Sequence, residues 1–432
     1  MLNNIHIKNY KSIKDLNIPL GKINILIGEN GAGKSNILEA IALAGAASAR
    51  KLDNEFLVSR GIRVTSPEFM RSAFPGYDDS TPIEIAIESE NSSKITFKLS
   101  NDNKPYSTWK SEEEFKAENN KIIPTDIQQW VKHSLTSSKT DRKKRLKELD
   151  EFISIVKTVM NENVDKTKSD EDIADLFFRS ANSKKLKNNH FVKTITNGPE
   201  EINEIRPYLN NFIVYSPENS ALRVFEEEGQ IQPLGINGEG LLKLLSVMDD
   251  LSSKKDITEV KNGLKSLNWF HDLAIHERQE EFSMLVTDKY LDTERQTFDQ
   301  RSANEGFLFL AFYLALFEAA ITPDFFAVDN IDASLNPKLC QKLIEIISTR
   351  AKEKDKQAIL TTHNPAILDG IDIFNDDQRL FVIERNSKGH TECRRISPPK
   401  DISKEEWNTQ YYGMKLSEIW MSGAIGGMPT GF

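Results

Sequence analysis

Eight consecutive residues, Gly28-Glu29-Asn30-Gly31-Ala32-Gly33-Lys34-Ser35, carry the spacing G-x-x-x-x-G-K-S. Glycines so placed let backbone N–H groups close round a polyphosphate. A lysine then reaches the terminal phosphates, and a hydroxyl takes one position on a divalent cation. Asn30, Gly31, Ala32, Gly33, Lys34, Ser35 and Asn36 are the candidate phosphate-binding residues, and Ser35 is also a candidate metal ligand. Much later in the chain, in FFAVDNIDASLNP (325–337), an apolar run ends at Asp329, a carboxylate able to hold the same cation. The next residue is Asn330. A general base must accept a proton, and a carboxamide has no useful basicity, although it can still orient a water. Asp332 has two readings: a substitute base acting through a water, or a cap for a helix beginning near Asn336. His363 completes the catalytic candidates with Asn330 and Asp332; it follows the strand-like AILTT (358–362) and is placed to sense a terminal phosphate.

Such chemistry needs its groups at one edge of one sheet. Ile23 to Ile27 reads as a short β-branched strand and 36–43 as a helix, so strand, loop and helix occur in the order the motif requires. Phe325 to Val328 is apolar throughout, as a strand buried in a parallel sheet would be. Asp329 and His363 each stand just past such a strand, where open α/β sheets place their ligands. Asn364-Pro365 predicts a turn into a helix from about Ala366. PIEIAIES (82–89) and KITFKLSN (94–101) alternate as two antiparallel strands do. GINGEGLLKLLSVMDDL (235–251) reads as a helix, and DLAIHE (272–277) and FSMLVTD (282–288) as strands.

The opening MLNNIHIKNYKSIKDLNIPLGKINILIGENGAGKSNILEAI (1–41) resembles the N-terminus of the SMC/Rad50/RecF-like branch of ABC-type ATPases. The resemblance returns in DFFAVDNIDASLNPKL (324–339), in QAILTTHNPAILDGID (357–372) and, more loosely, in DQRSANEGFLFLAFYLALF (299–317). It implies an α/β P-loop ATPase head with a mixed or parallel sheet, with ATP and Mg2+ as cofactors. Lys11, in the turn YKSIKD, matches a basic residue that approaches the nucleotide in that family; its other reading is a solvated surface lysine. Gly306 matches the glycine of the signature motif, which one subunit supplies to the nucleotide of another, with Asn304 and Glu305 where relatives often have Ser and Asp. Ser302 is an alternative contact, and a plain core helix is the other reading. Shared sites imply a homo-oligomer, a head-to-tail dimer or higher.

The remaining features bound the function. Net charge is -9, which argues against a nucleic-acid coat over the whole surface. Two basic clusters, Lys139 to Lys147 and Lys184 to Lys187, leave nucleic acid as a candidate partner or are solvated helix faces. No apolar run has membrane-spanning length, the start lacks a signal-peptide core, and Cys340 and Cys393 form no CxxC pair. A cytoplasmic protein without a membrane partner is expected. Charge rises and glycine nearly vanishes between 102 and 206, which reads as a helical insertion, an arm or lid, between ATPase segments 1–101 and 207–432. No nuclease cluster is evident, so destructive chemistry would sit on a partner. The tryptophan-glycine tail after Trp420 is similar to that of ATPases accompanying phage-defence effectors. Together these readings point to an OLD-like ATPase subunit that resembles those of the Septu and PARIS systems. It would bind ATP, hydrolyse it slowly or not at all, and control an effector nuclease encoded alongside. A RecF/Rad50-like DNA-repair ATPase and a nucleotide-locked scaffold are the alternatives.

Overall fold

The computed structural model describes residues 1–76, 78, 80–104, 107–116, 122–123, 204–225, 227, 229–250, 254–278, 281–399 and 401–425. Both basic clusters and most of the expected helical insertion lie outside the described residues, as do the last residues of the glycine-rich tail. The chain divides into two compact units. One gathers Met1–Leu2, Ile87–Thr96 and Glu112–Pro207; within it Asn91 Nδ2 donates to Glu204 at 3.0 Å and Arg206 pairs with Glu113 at 2.5 Å. The other gathers Asn3–Ala86, Phe97–Ser111 and Tyr208–Phe432. The candidate site described below lies in this second unit.

Strands β1 (Leu2–Tyr10) and β2 (Ile13–Pro19) pair antiparallel, Ile7 opposite Leu16, with apolar residues alternating inward as a half-buried sheet demands. Strands β4 (Ile83–Ser89) and β5 (Lys94–Ser100) continue that sheet in the order β2-β1-β4-β5. Beyond them β6 (Lys110–Lys116) pairs with β7 (Ile122–Ile123).

The central sheet runs β15-β14-β3-β13-β12-β8. Its strands are β3 (Ile23–Gly28), β8 (Val214–Tyr215), β12 (Phe325–Val328), β13 (Gln357–Thr362), β14 (Gln378–Arg385) and β15 (Thr391–Ile396). All neighbours are parallel except β14 and β15. β3, β12 and β13 are buried at every position, which accounts for the wholly apolar β12 and the largely apolar β3 and β13. Val328 lies opposite Leu360, Leu360 opposite Ile25, and Thr362 opposite Ile27. Three carboxyl ends therefore stand abreast, and the residues that leave them are Asp329, His363 and the glycine loop.

Helix α1 (Lys34–Ser48) follows the loop and is buried along almost its whole length. It runs longer than the 36–43 the sequence predicts, because its alanines and Gly45 allow close packing on every side. A Cβ at Gly45 would stand 2.5 Å from the Leu209 carbonyl oxygen. Short helices α2 (Asn54–Ser59), α3 (Pro67–Met70) and α4 (Arg206–Asn210) join it to the later strands. Helices α5 (Leu241–Asp250), α6 (Lys255–Leu264) and α7 (Glu305–Glu318) form the main core with the antiparallel strands β9 (Phe270–Arg278), β10 (Glu281–Asp288) and β11 (Thr297–Asp299). From Phe307 onward α7 is buried on all sides, as its continuous apolar sequence requires.

One local expectation needs correction. Asn336, followed by Pro337, caps α8 (Pro337–Glu353): its side chain accepts from Leu339 N at 3.0 Å, so Asp332 is not the cap. The helix expected from about Ala366 is present as a 3-10 helix, Pro365–Gly370. The described tail carries α9 (Lys404–Gln410) and α10 (Leu416–Met421); Ser417 N donates to Asp369 at 3.0 Å, tying α10 to the 3-10 helix.

Candidate nucleotide-binding site

The glycine loop has the backbone its sequence demands. Gly31 and Gly33 hold φ at 78° and 111°, in the left-handed region, and a Cβ on Gly33 would stand 2.2 Å from Thr391 Oγ1. Gly28 is needed for a different reason: a Cβ there would meet the Ile383 carbonyl at 2.0 Å, so only glycine lets β14 come this close. Thr391 braces the loop from β15, donating to the Ala32 carbonyl at 2.8 Å and meeting Ser12 Oγ at 2.7 Å. Ser12 in turn accepts from Asn36 Nδ2 at 2.7 Å.

Lys34 folds back over the loop. Its Nζ donates to the carbonyls of Gly28 and Glu29, each at 2.9 Å, and reaches Nδ1 of His363 at 3.4 Å. Burial pushes the ammonium down to about 8, against the pull of Asp329 and Asp332 in the other direction. His363 is also held below its ordinary value, by its own burial and then by the Lys34 charge, so its neutral ring can accept from Lys34. Asn30 and Gly31 are exposed at the loop tip, while Ala32 is buried.

Ser35 Oγ donates to Asp329 Oδ2 at 3.0 Å, across β13. The second Asp329 oxygen accepts from Thr361 Oγ1. Asp332 accepts from Thr362 Oγ1 at 2.6 Å. Asn330 sits between the two acids with φ at 55°, its backbone N–H donating to Thr361 Oγ1 at 2.9 Å. Its carboxamide is exposed and takes no hydrogen-bond partner among the described residues.

These residues fit a magnesium-bound nucleotide. Among the described residues no group of three or more His, Cys, Asp and Glu side chains is arranged to hold a metal alone. Magnesium commonly needs only one or two protein oxygens, the remainder coming from phosphates and water. An octahedral shell with bonds of ~2.0–2.1 Å sets adjacent oxygens about 3 Å apart. Ser35 Oγ and Asp329 Oδ2 are 3.0 Å apart.

Lys11 does not point its ammonium at the loop. It pairs with Glu39, which is 3% exposed in its side chain, and Glu39 also accepts from Arg63 Nε and from Tyr10 OH at 3.1 Å. Lys11 nonetheless lines a cleft of about 500 Å3 with Ser12, Asn36, Arg63, Phe69 and Arg385. Arg385 Nε donates to the Gly31 carbonyl at 2.9 Å, so this cleft opens beside the loop. Asn304 and Gly306 stand apart from the loop residues. Asn304 caps α7 by accepting from Phe307 N at 2.9 Å. Gly306 packs beneath the Ser334 carbonyl, and Glu305 accepts from Ser334 Oγ at 3.0 Å and from Asn219 at 2.8 Å. Ser302 bonds to Asp299, with its N–H 3.1 Å from the Asp299 carbonyl.

Thr361, Thr362, Glu39, Arg63, Thr391 and Arg385 are the participants that the motifs did not flag. The threonine pair had a visible signal, two hydroxyls in place of apolar residues at the end of a buried strand. Glu39 had one too, a lone acid in an apolar helix. Thr391 and Arg385 had none.

A family profile described as "AAA domain, putative AbiEii toxin, Type IV TA system" matches residues 23–369. The chain belongs to this AAA family. It is an ABC-type ATPase chain of the SMC/Rad50/RecF/OLD-like branch. An ATP/GTP phosphatase of Helicobacter pylori is 26% identical over 305 residues, spanning 61% of this chain and 77% of its own. A Methanocaldococcus jannaschii protein of no stated activity, MJECL10, is 32% identical over 126 residues, 28% of this chain. The match spans 56% of that relative's length. The crystal structure of an SMC head bound to the C-terminal winged-helix domain of ScpA superposes with a TM-score of 0.50 at 13% identity. It covers 93% of this chain and 99% of its own, and it shows the fold alone. Among the described residues no helix is long and apolar enough to cross a membrane.

Proposed function

We propose that this chain binds ATP with Mg2+ at the carboxyl edge of the central sheet and hydrolyses it slowly, as the ATPase subunit of a bacterial anti-phage complex that controls a partner nuclease. The observation that carries the binding part is the meeting of Ser35 and Asp329 at 3.0 Å, beside a lysine with no charged partner in hydrogen-bond reach among the described residues. When bound, Mg2+ would neutralise charge on the terminal phosphates. The loop N–H groups and Lys34 cradle those phosphates. Ser35 and Asp329 hold the cation. His363 stands against Lys34, where a terminal phosphate would meet both. The cleft lined by Lys11, Arg63 and Phe69 gives the base and ribose room.

Slow turnover follows from the turn after β12. Asn330 orients water but accepts no proton. Asp332 keeps one carboxylate oxygen outside its bond to Thr362, and that oxygen serves as the substitute base. Asn304 and Glu305, at the start of α7, are exposed and Gly306 is half-buried, while the rest is buried, which suits contact with the nucleotide of a second copy. The partner nuclease and the defence role rest on the resemblance of the motifs and tail. Retention of nucleotide without turnover, the scaffold alternative, is favoured by Asn330 alone.

The test is nucleotide binding and phosphate release by purified protein, with Lys34→Ala beside it. Loss of binding in the variant is expected, and unchanged binding overturns the site. Recovery of a nuclease from the native operon on the same subunit supports the partner; its absence from every nucleotide state removes that part.

A further inference from the structure

The two acids after β12 are gripped in the same way by consecutive threonines. Thr361 Oγ1 accepts from Asn330 N at 2.9 Å, and Thr362 Oγ1 accepts from Asn364 N at 2.9 Å. Each hydroxyl then has its proton free for one carboxylate. Thr361 donates to Asp329 Oδ1, and Thr362 to Asp332 Oδ1. Successive residues of a strand face opposite ways, so one pair of hydroxyls at a strand end serves two different carboxylates. Both threonines are 0% exposed, so water cannot replace either hydroxyl.

We infer that Thr361 is the positioning residue for the cation arm of the site. It fixes the Asp329 carboxylate so that Oδ2 faces Ser35. Two features of the geometry support this role. The backbone donor from Asn330 sets the direction of the hydroxyl proton, and it leaves Asp329 Oδ1 as the acceptor that proton reaches. Asp329 itself follows directly from β12, its own N–H bonded to the Tyr215 carbonyl at 2.8 Å, so its backbone is fixed and its side-chain rotation is the freedom left to set. Without the Thr361 donor, the bond from Ser35 is the only side-chain hydrogen bond among the described residues left to oppose that rotation. Groups that orient a metal ligand through a hydrogen bond are worth about 10–100-fold in metal affinity.

This inference rests on the proposed Mg2+-nucleotide site, and the experiment separates the two. A fluorescent ATP analogue is titrated into wild-type protein, Thr361→Val and Thr361→Ser, each in excess Mg2+ and in EDTA. Thr361→Val keeps the shape and the β-branch and removes the hydroxyl. Its affinity in EDTA should stay at the wild-type level, while the Mg2+ concentration needed for half-maximal binding should rise about 10–100-fold. Thr361→Ser should restore the wild-type Mg2+ requirement. Where thermal melting shows that Thr361→Val disturbs the fold, Thr361→Ala removes the same hydroxyl without adding volume and serves in its place. An unchanged Mg2+ requirement overturns the inference, as does an equal loss with and without Mg2+, which marks a merely structural role. Wild-type protein that gains nothing from Mg2+ overturns the cation site itself, and this inference with it.

Discussion

Replacing Asn330 by glutamate should convert a slow ATPase into a faster one, at a small cost in stability. The carboxamide is exposed and without a hydrogen-bond partner among the described residues, so one added methylene extends into solvent. The backbone N–H keeps its bond to Thr361, which holds the new carboxylate at the site asparagine now occupies. The cost is conformational. Asn330 has φ at 55°, where asparagine is tolerated better than glutamate, and the change should lose roughly 1 kcal/mol. The gain is a general base, typically ~10²–10⁴-fold in rate, or about 2.7–5.4 kcal/mol of barrier. With Asp332 already supplying part of that base, a rise of about 100-fold in kcat is expected, with KM little changed and the melting temperature about one degree lower. Phosphate release at saturating Mg2+-ATP, with a thermal melt on the same sample, reads both effects. Adding Asp332→Asn sharpens the assay: it should silence the residual turnover of the natural chain but leave most of the turnover of the glutamate variant. A glutamate variant that binds Mg2+-ATP normally, yet turns over within twofold of the natural protein, refutes this account of why the site is slow.

Three further outcomes follow from the same coordinates. Gly33→Ala must place a Cβ 2.2 Å from Thr391 Oγ1 at φ 111°, and strain plus overlap should cost about 2–5 kcal/mol, read by denaturant unfolding. Affinity for ATP in EDTA should fall as pH rises above about 8. Lys34 titrates there in the free protein, bound phosphates raise its pKa, and binding therefore takes up a proton, weakening by up to ~10-fold per pH unit; a flat profile between pH 7 and 9.5 excludes Lys34 as the phosphate ligand. Glu39→Gln leaves Lys11 and Arg63 without their shared carboxylate and should destabilise the protein by about 3 kcal/mol, while a loss below 1 kcal/mol would show that the two cations are adequately served by solvent.

Much of this site was legible in the chain. The phosphate loop, the apolar strand ending at Asp329 and the strand ending before His363 are local patterns, and their chemistry is written in consecutive residues. What joins them is the register of β3, β13 and β12, and that could be expected only from the habit of parallel sheets to carry ligands at their carboxyl ends. Lys11 shows the limit of local reading. The family resemblance implies a cation near the nucleotide, and the structure pairs its ammonium with Glu39, on the first turns of α1, a partner the turn itself does not announce. Asp332 shows another. A helix cap was a fair local reading of an acid before a helix, yet Asn336 takes that place and Thr362 claims the acid. Asn304 reads as a nucleotide contact from the motif and serves within its own chain as the cap of α7. Thr391 and Arg385 brace the loop from strands more than three hundred and fifty residues away, and no local pattern announces a contact that only the folded sheet creates.

The central claim is that Lys34, Ser35 and Asp329 converge on one Mg2+-nucleotide. A crystal structure with a non-hydrolysable ATP analogue and Mn2+, the metal located by its anomalous signal, tests it most directly. The account predicts a single metal peak within bonding distance of Ser35 Oγ, with Asp329 bound to it directly or through one water and Lys34 moved from the Gly28 carbonyl onto the terminal phosphates. A nucleotide seated elsewhere, or a metal peak remote from both Ser35 and Asp329, would contradict it.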